Sequence, residues 1–137
     1  MKKAFKKFTK VALVFTFVFA CTATAYAYNT KFAFDLTSGM FSPWKYSSEA
    51  YKYSEYENPV VECTYVEPSD AKFTYDVVNS NEESRVRSFS AKGTFETREF
   101  DGNVTVKNKK YRLRVKRETG SWGSSANTQG HWNIDSY

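Results

Sequence analysis

The stretch YRLRVKRE, residues 111 to 118, puts Tyr111, Leu113 and Val115 on one side of an extended chain and Arg112, Arg114 and Lys116 on the other. A repeat of two marks a strand with one dry face and one wet face, because a helix would scatter the same residues around its axis. The period recurs in TKFAFDL, where Phe32, Phe34 and Leu36 alternate with Lys31, Ala33 and Asp35. It recurs again in VVECTYV, where Val61, Cys63 and Tyr65 alternate with Glu62 and Thr64. AKFTYDVV, RVRSFSAKGTFETREF and QGHWNI are also rich in β-branched and aromatic residues, as strands are. Turn chemistry separates these runs at Pro68-Ser69-Asp70, at Asp101-Gly102-Asn103 and at Asn108-Lys109-Lys110. VVECTYV and AKFTYDVV are expected to form a hairpin. VTV, residues 104 to 106, is expected to be a strand between two turns, and GSWGSSANT a loop feeding the last strand. Residues 37 to 59 carry turn signals and many tyrosines without a sustained apolar face, which predicts loop, one irregular strand and a short helical turn near Ser47 to Lys52. Short strands without intervening amphipathic helices predict an all-β domain, a small antiparallel β-sandwich or partly open barrel of about six to eight short strands.

The first 27 residues are read as a secretory signal peptide. MKKAFKKFTK places five lysines ahead of the apolar run VALVFTFVFA, which is shorter than the roughly 20 residues a membrane span requires. Ala25-Tyr26-Ala27 offers small residues where signal peptidase reads them, so cleavage is expected after Ala27 and the single domain occupies residues 28 to 137. The rival reading is lipidation at Cys21 in VFAC, against which Phe19 is bulky for such a signal. These features predict a secreted protein with no stable membrane span after cleavage. Lysine-rich leaders of this kind point to Gram-positive secretion. Cys63 would then remain alone, without an intramolecular disulfide, as a small residue on the inward face of a strand. A domain of 110 residues without such a staple must hold itself by core burial. The alternative for Cys63 is an intermolecular disulfide or a reactive thiol.

Removing the leader also changes the meaning of the charge. Lys2, Lys3, Lys6, Lys7 and Lys10 supply the whole formal +5, and the rest of the chain carries 15 basic and 15 acidic side chains. A basic footprint for nucleic acid is therefore not expected. The distribution is uneven: Lys31 to Glu83 sums to −6 and Ser84 to Glu118 to +7. Pairing of acidic and basic strands is the simpler account. The functional alternative is a basic face of Arg112, Arg114, Lys116 and Lys107 to Lys110 that meets an anionic envelope polymer.

Catalytic constellations are weak. Ser124 or Ser125, His131 and Asp135 are the parts of a hydrolase triad, yet there is no G-x-S-x-G elbow, and in a strand His131 and Trp132 point to opposite faces. One histidine and one remaining cysteine do not compose a usual zinc site, and DGN is too sparse for a calcium loop. Glu55 and Glu57, or Glu82 and Glu83, read as solvated acids, since a glycosidase needs two carboxyls across a cleft. No cofactor or metal is expected, and the chain is read as a binding protein rather than an enzyme.

The aromatics carry more. Trp44, Tyr46, Tyr51, Tyr53 and Tyr56 crowd one poorly patterned segment, and Trp122 lies in a Gly/Ser-rich loop where a core residue would be unusual. Such rings either roof a small core or stack on sugars and fill pockets of a partner. Trp132 is expected in the core, with His131 and Asn133 facing out. The candidate binding residues are Trp44, Tyr51, Tyr53 and Trp122 with Arg112, Arg114 and Lys116. The expected partners are a cell-wall glycan, an anionic envelope polymer or an extracellular protein.

Phe32 and Phe34 near the start of the domain, Pro43-Trp44-Lys45, Leu113-Arg114 and Gly130 with Trp132 together resemble a domain family of unknown function found in small secreted proteins of Gram-positive bacteria. The likeness covers both ends of the domain and not Asn58 to Phe100. It implies a small extracellular β protein, supplies no catalytic residues, and places such chains in the company of secreted-peptide or bacteriocin-type systems. A bacteriocin-like antagonist is therefore one competing function, and a small extracellular hydrolase, resting on Ser124 or Ser125, His131 and Asp135, is the other.

Overall fold

The computed structural model describes residues 29–38, 42–118, 120, 121 and 123–136. The expected leader and cleavage site, Cys21 and Trp122 lie outside the described residues. Within them are nine strands: β1 (Thr30–Thr37), β2 (Lys45–Tyr46), β3 (Ala50–Tyr51), β4 (Val60–Glu67), β5 (Lys72–Val78), β6 (Phe89–Lys92), β7 (Phe95–Glu99), β8 (Lys110–Arg117) and β9 (Ser125–Asn133). They form two antiparallel sheets, ordered β1-β9-β4-β7 and β2-β8-β5-β6, with β3 also on β8. The domain is all-β, with the layering of a small sandwich, as the period of two predicts.

The strand number exceeds six to eight because one sheet edge is interrupted. Lys45 and Tyr46 pair with Val115 and Arg114, while Ala50 and Tyr51 pair with Tyr111 and Lys110. Between them the Ser47 amide donates to the Leu113 carbonyl at 2.9 Å, and the Ser47 hydroxyl accepts from the Leu113 amide at 3.0 Å. A side chain thus completes the ladder where the edge backbone leaves it. The helical turn expected near Ser47 to Lys52 is replaced by this broken edge strand.

On β8 the expected face is buried: Tyr111, Leu113 and Val115 enter the core. Phe73, Tyr75 and Val77 of β5 join them from the same sheet, and Phe32, Leu36, Val61, Cys63, Val66, Ala126 and Trp132 come from the other. Each large side chain so buried contributes about 1.5–3 kcal/mol, which lets the domain hold with Cys63 as a buried free thiol. Tyr75 spans the two sheets, its hydroxyl 3.2 Å from Thr128 Oγ1, which is 3.3 Å from Cys63 Sγ. Burial pushes the Tyr75 phenol up, so it stays protonated. At Gly130 a Cβ would lie 1.9 Å from the Glu62 carbonyl oxygen and 2.8 Å from the Phe32 ring, so only glycine lets β9 lie this close to its neighbours.

Several local expectations are corrected. β4 and β5 are not a hairpin: β4 lies between β9 and β7, and β5 lies between β8 and β6 in the other sheet. β5 is apolar or sealed on both faces and needs neighbours on both edges, which β8 and β6 supply. A register shift between Cys63 and Tyr65 turns Tyr65 outward and gives its inward place to Val66. RVRSFSAKGTFETREF divides at Gly93, whose φ of 69° lets the chain leave one sheet for the other. VTV is no strand, since its three residues between two turns are held in a loop with Val104 and Val106 exposed. The flanking turns form as expected, with φ of 63° at both Gly102 and Asn108. Asn133 is buried rather than facing out, because Ile134 and Asp135 fold back over the end of β9 and its Oδ1 accepts the Asp135 amide.

Candidate functional site

One end of the sandwich gathers two loops, residues 52–59 and 100–109, with the segment 134–136 that leaves β9. Lys52 organises them. Its side chain is wholly buried, and Nζ donates to the Glu57 carbonyl at 2.7 Å, the Ile134 carbonyl at 3.2 Å and Asp135 Oδ1 at 2.8 Å. Three acceptors for three ammonium donors satisfy a charge that has no access to water. The other carboxylate oxygen, Asp135 Oδ2, accepts the Tyr53 amide at 2.8 Å and the Ser54 amide at 3.3 Å. The loops are joined by Lys52 N–H to Lys109 O and Asn108 N–H to Lys52 O, each 2.9 Å, and by Asn103 Nδ2, which donates to Asn58 Oδ1 and the Glu57 carbonyl.

On this framework four large apolar side chains point outward among the exposed polar residues Glu55, Asp101, Lys107, Asn108 and Lys109. Tyr56 is 90% exposed, Tyr53 66%, Val106 59% and Val104 58%. Tyr51 and Tyr53 rest ring against ring with centroids 4.8 Å apart. The backbone beneath them is satisfied from within: Val104 N–H binds Arg85 O, Thr105 N–H binds Asn103 Oδ1, Val106 N–H binds the Tyr111 hydroxyl, and the Tyr56 and Glu57 amides bind Ser54 Oγ. Lys107 and Lys109 are exposed beside the valines and make no ion pair among the described residues, while Lys110 pairs with Glu49 at 3.1 Å.

The predicted basic face of β8 is built differently. Asp76 is 2% exposed, and Arg114 Nε and Nη2 reach its Oδ2 at 2.9 and 2.8 Å while the Ser84 hydroxyl takes Oδ1 at 2.6 Å. Arg114 is thus committed to neutralising a buried carboxylate and also lies 4.3 Å from the Trp44 ring centroid. Lys116 covers the same ring at 4.8 Å, and Arg112 covers Tyr46 at 4.8 Å while facing Glu82 at 3.8 Å. Cations and rings on this face bind one another, which favours sheet packing over capture of a ligand. Beyond Lys116, Glu118 accepts hydrogen bonds from Ser90 and Thr74, opposes Lys72 at 3.2 Å, and has its carboxyl pulled down to about 2 chiefly by the two hydroxyls.

The candidate set is therefore divided among three places. Tyr51 and Tyr53 belong to the rim; Trp44, Arg112, Arg114 and Lys116 to the outer face of β8; and the neighbours of Trp122 to the opposite end of the domain. That opposite end is about 23 Å away along β8, at roughly 3.3 Å per residue. There Arg117, itself buried, donates Nη1 to the Ser124 carbonyl at 2.6 Å. The triad parts do not assemble. Ser125 and His131 are six residues apart on one strand, or about 20 Å, Asp135 is engaged by Lys52, and His131 Nδ1 faces Glu62 at 3.9 Å. Among the described residues no group of three or more His, Cys, Asp or Glu is placed to hold a metal ion. Sequence reasoning missed Lys52, Asp135 as its partner, Val104 and Val106; the one available signal was that VTV, pinned between two turns, is too short for a strand in a sheet. No family model matches the sequence, and neither a curated protein nor a solved structure matches it.

Proposed function

We propose that this chain is a secreted, non-enzymatic β-sandwich that binds an envelope component or an extracellular protein through the tyrosine and valine rim. The lysine-rich start and apolar run of the leader support the route out of the cell. The observation that carries the reading is the exposure of Tyr53, Tyr56, Val104 and Val106 on one end whose backbone is tied by hydrogen bonds to Asp135 and Tyr111. Exposed apolar side chains on a rigid base form a contact surface that loses little entropy on binding. The outer face of β8 is a weaker candidate, because Arg114 and Trp44 already satisfy one another and Asp76.

The test is retention of residues 28–137 on isolated cell envelopes, measured for the parent and for Tyr53→Ser/Tyr56→Ser and Lys116→Ala variants that unfold at the parent temperature. Loss in the rim variant with retention in Lys116→Ala supports the reading. Equal retention of the rim variant and the parent, or no retention of either on envelopes or on extracellular protein, overturns it.

A further inference from the structure

We infer that the occupant of the rim is a lipid headgroup surface bearing anionic lipids, into which the loops dip side chains without spanning the bilayer. The inference rests on the reading of the rim as the binding surface and names its partner. Three features point to lipid over polysaccharide. First, the exposed set mixes tyrosine with valine: Val104 and Val106 have no face to stack on a sugar, whereas aliphatic and tyrosine side chains together suit the boundary between headgroups and acyl chains.

Second, six amides of the loop tips are already matched within the protein. In lipid an unmatched amide costs several kcal/mol, and the amides of Tyr53, Ser54, Tyr56, Val104, Thr105 and Val106 all have acceptors inside the protein. Asp135 and Tyr111 reach these amides from outside the two loops, while Ser54 and Asn103 close turns within them. Third, Lys107 and Lys109 stand exposed in the same loop as the valines without an ion pair among the described residues; the acids of the two loops are Glu55 and Glu57 on one and Asp101 at the start of the other. Lysines next to inserting apolar side chains meet anionic headgroups as those side chains enter.

Both sheets lie within residues 30–133, so the assay uses the chain from Tyr28, which keeps the apolar leader out of it. Sedimentation is measured with vesicles of phosphatidylcholine alone and with phosphatidylglycerol added, and separately with lipid-free cell walls. Partitioning is expected on the anionic vesicles. It should fall roughly tenfold in Tyr56→Ser/Val106→Ser, as apolar area leaves the interface, and should lose its preference for anionic lipid in Lys107→Gln/Lys109→Gln. Tyr65→Ser, which changes an exposed tyrosine on the face of the other sheet, should partition as the parent does. Absence of vesicle binding, or binding that the rim variants leave unchanged, overturns the inference. Rim-dependent retention on walls or on an extracellular protein with none on vesicles also overturns it, while leaving the rim as the binding surface; no rim-dependent retention on any of the three overturns both.

Discussion

Replacing Asp135 with asparagine tests the framework of the rim most severely. The side chain of Lys52 is wholly buried, so the ammonium cannot recover water when the opposing charge is removed. The carboxamide introduced by Asp135→Asn also carries two donors where the carboxylate had none. One of its ends must then face either the Lys52 ammonium or the Tyr53 and Ser54 amides donor to donor. Breaking a buried ion pair from one side costs about 3–5 kcal/mol. Two carbonyls remain to receive Lys52, and Asp135 keeps 14% exposure, which places the expected loss near the lower figure, at about 3 kcal/mol. For a domain of this size that lowers Tm by about 12 °C or more. Lys52→Met should cost less, because the carboxylate left behind has water and two amides. Combining it with Asp135→Asn should recover part of the loss of the asparagine variant alone. Urea unfolding of the four proteins measures all of this. A loss below about 1 kcal/mol for Asp135→Asn, or strict additivity of the two changes, would show that the pair is solvated and that the end of the sandwich is not closed as described.

Other expectations follow from the same contacts. Glu118 has its carboxyl held near 2 in the folded chain against 4.5 when free, so its contribution to stability is full above about 4.5 and vanishes as pH falls toward 2; Glu118→Gln should flatten the acid limb of a stability–pH profile over that interval. Arg114→Ala leaves Asp76 buried and unneutralised and should cost about 3 kcal/mol in urea unfolding, whereas Lys116→Ala should cost less than about 1. Gly130→Ala forces a Cβ against the Glu62 carbonyl and should destabilise by at least about 1–3 kcal/mol, read as a lower urea midpoint. Native Cys63 should resist thiol labelling until unfolding, with mass spectrometry as the readout and prompt labelling as the contrary result.

The strand content was legible because alternation is a one-dimensional record of two faces: Tyr111, Leu113 and Val115 went inward as read, and so did Phe32, Leu36, Cys63 and Trp132. Sheet assignment was not legible, since the apolar rows of β4 and β5 fit a hairpin and a crossing between sheets equally well. One inserted residue at Thr64 reversed Tyr65 without changing composition. The rim was half legible. A crowd of tyrosines around Tyr53 is visible in the sequence, but its meaning depends on Lys52 and Asp135, 83 positions apart, meeting under it. Charge was legible only in outline. Pairing of acidic and basic strands was the simpler reading of Arg112, Arg114 and Lys116, with a free basic face as the alternative, and only the placement of Trp44, Tyr46 and Asp76 shows how those cations are occupied.

The claim on which the account turns is that the tyrosine and valine end is the contact surface. Hydroxyl-radical footprinting of the protein free and bound to envelopes reads that surface directly, residue by residue. Protection of Tyr53, Tyr56, Val104 and Val106, with Tyr65 and Trp44 unchanged, is the predicted result. Protection of Trp44 or Tyr65 with the rim still reactive would contradict it.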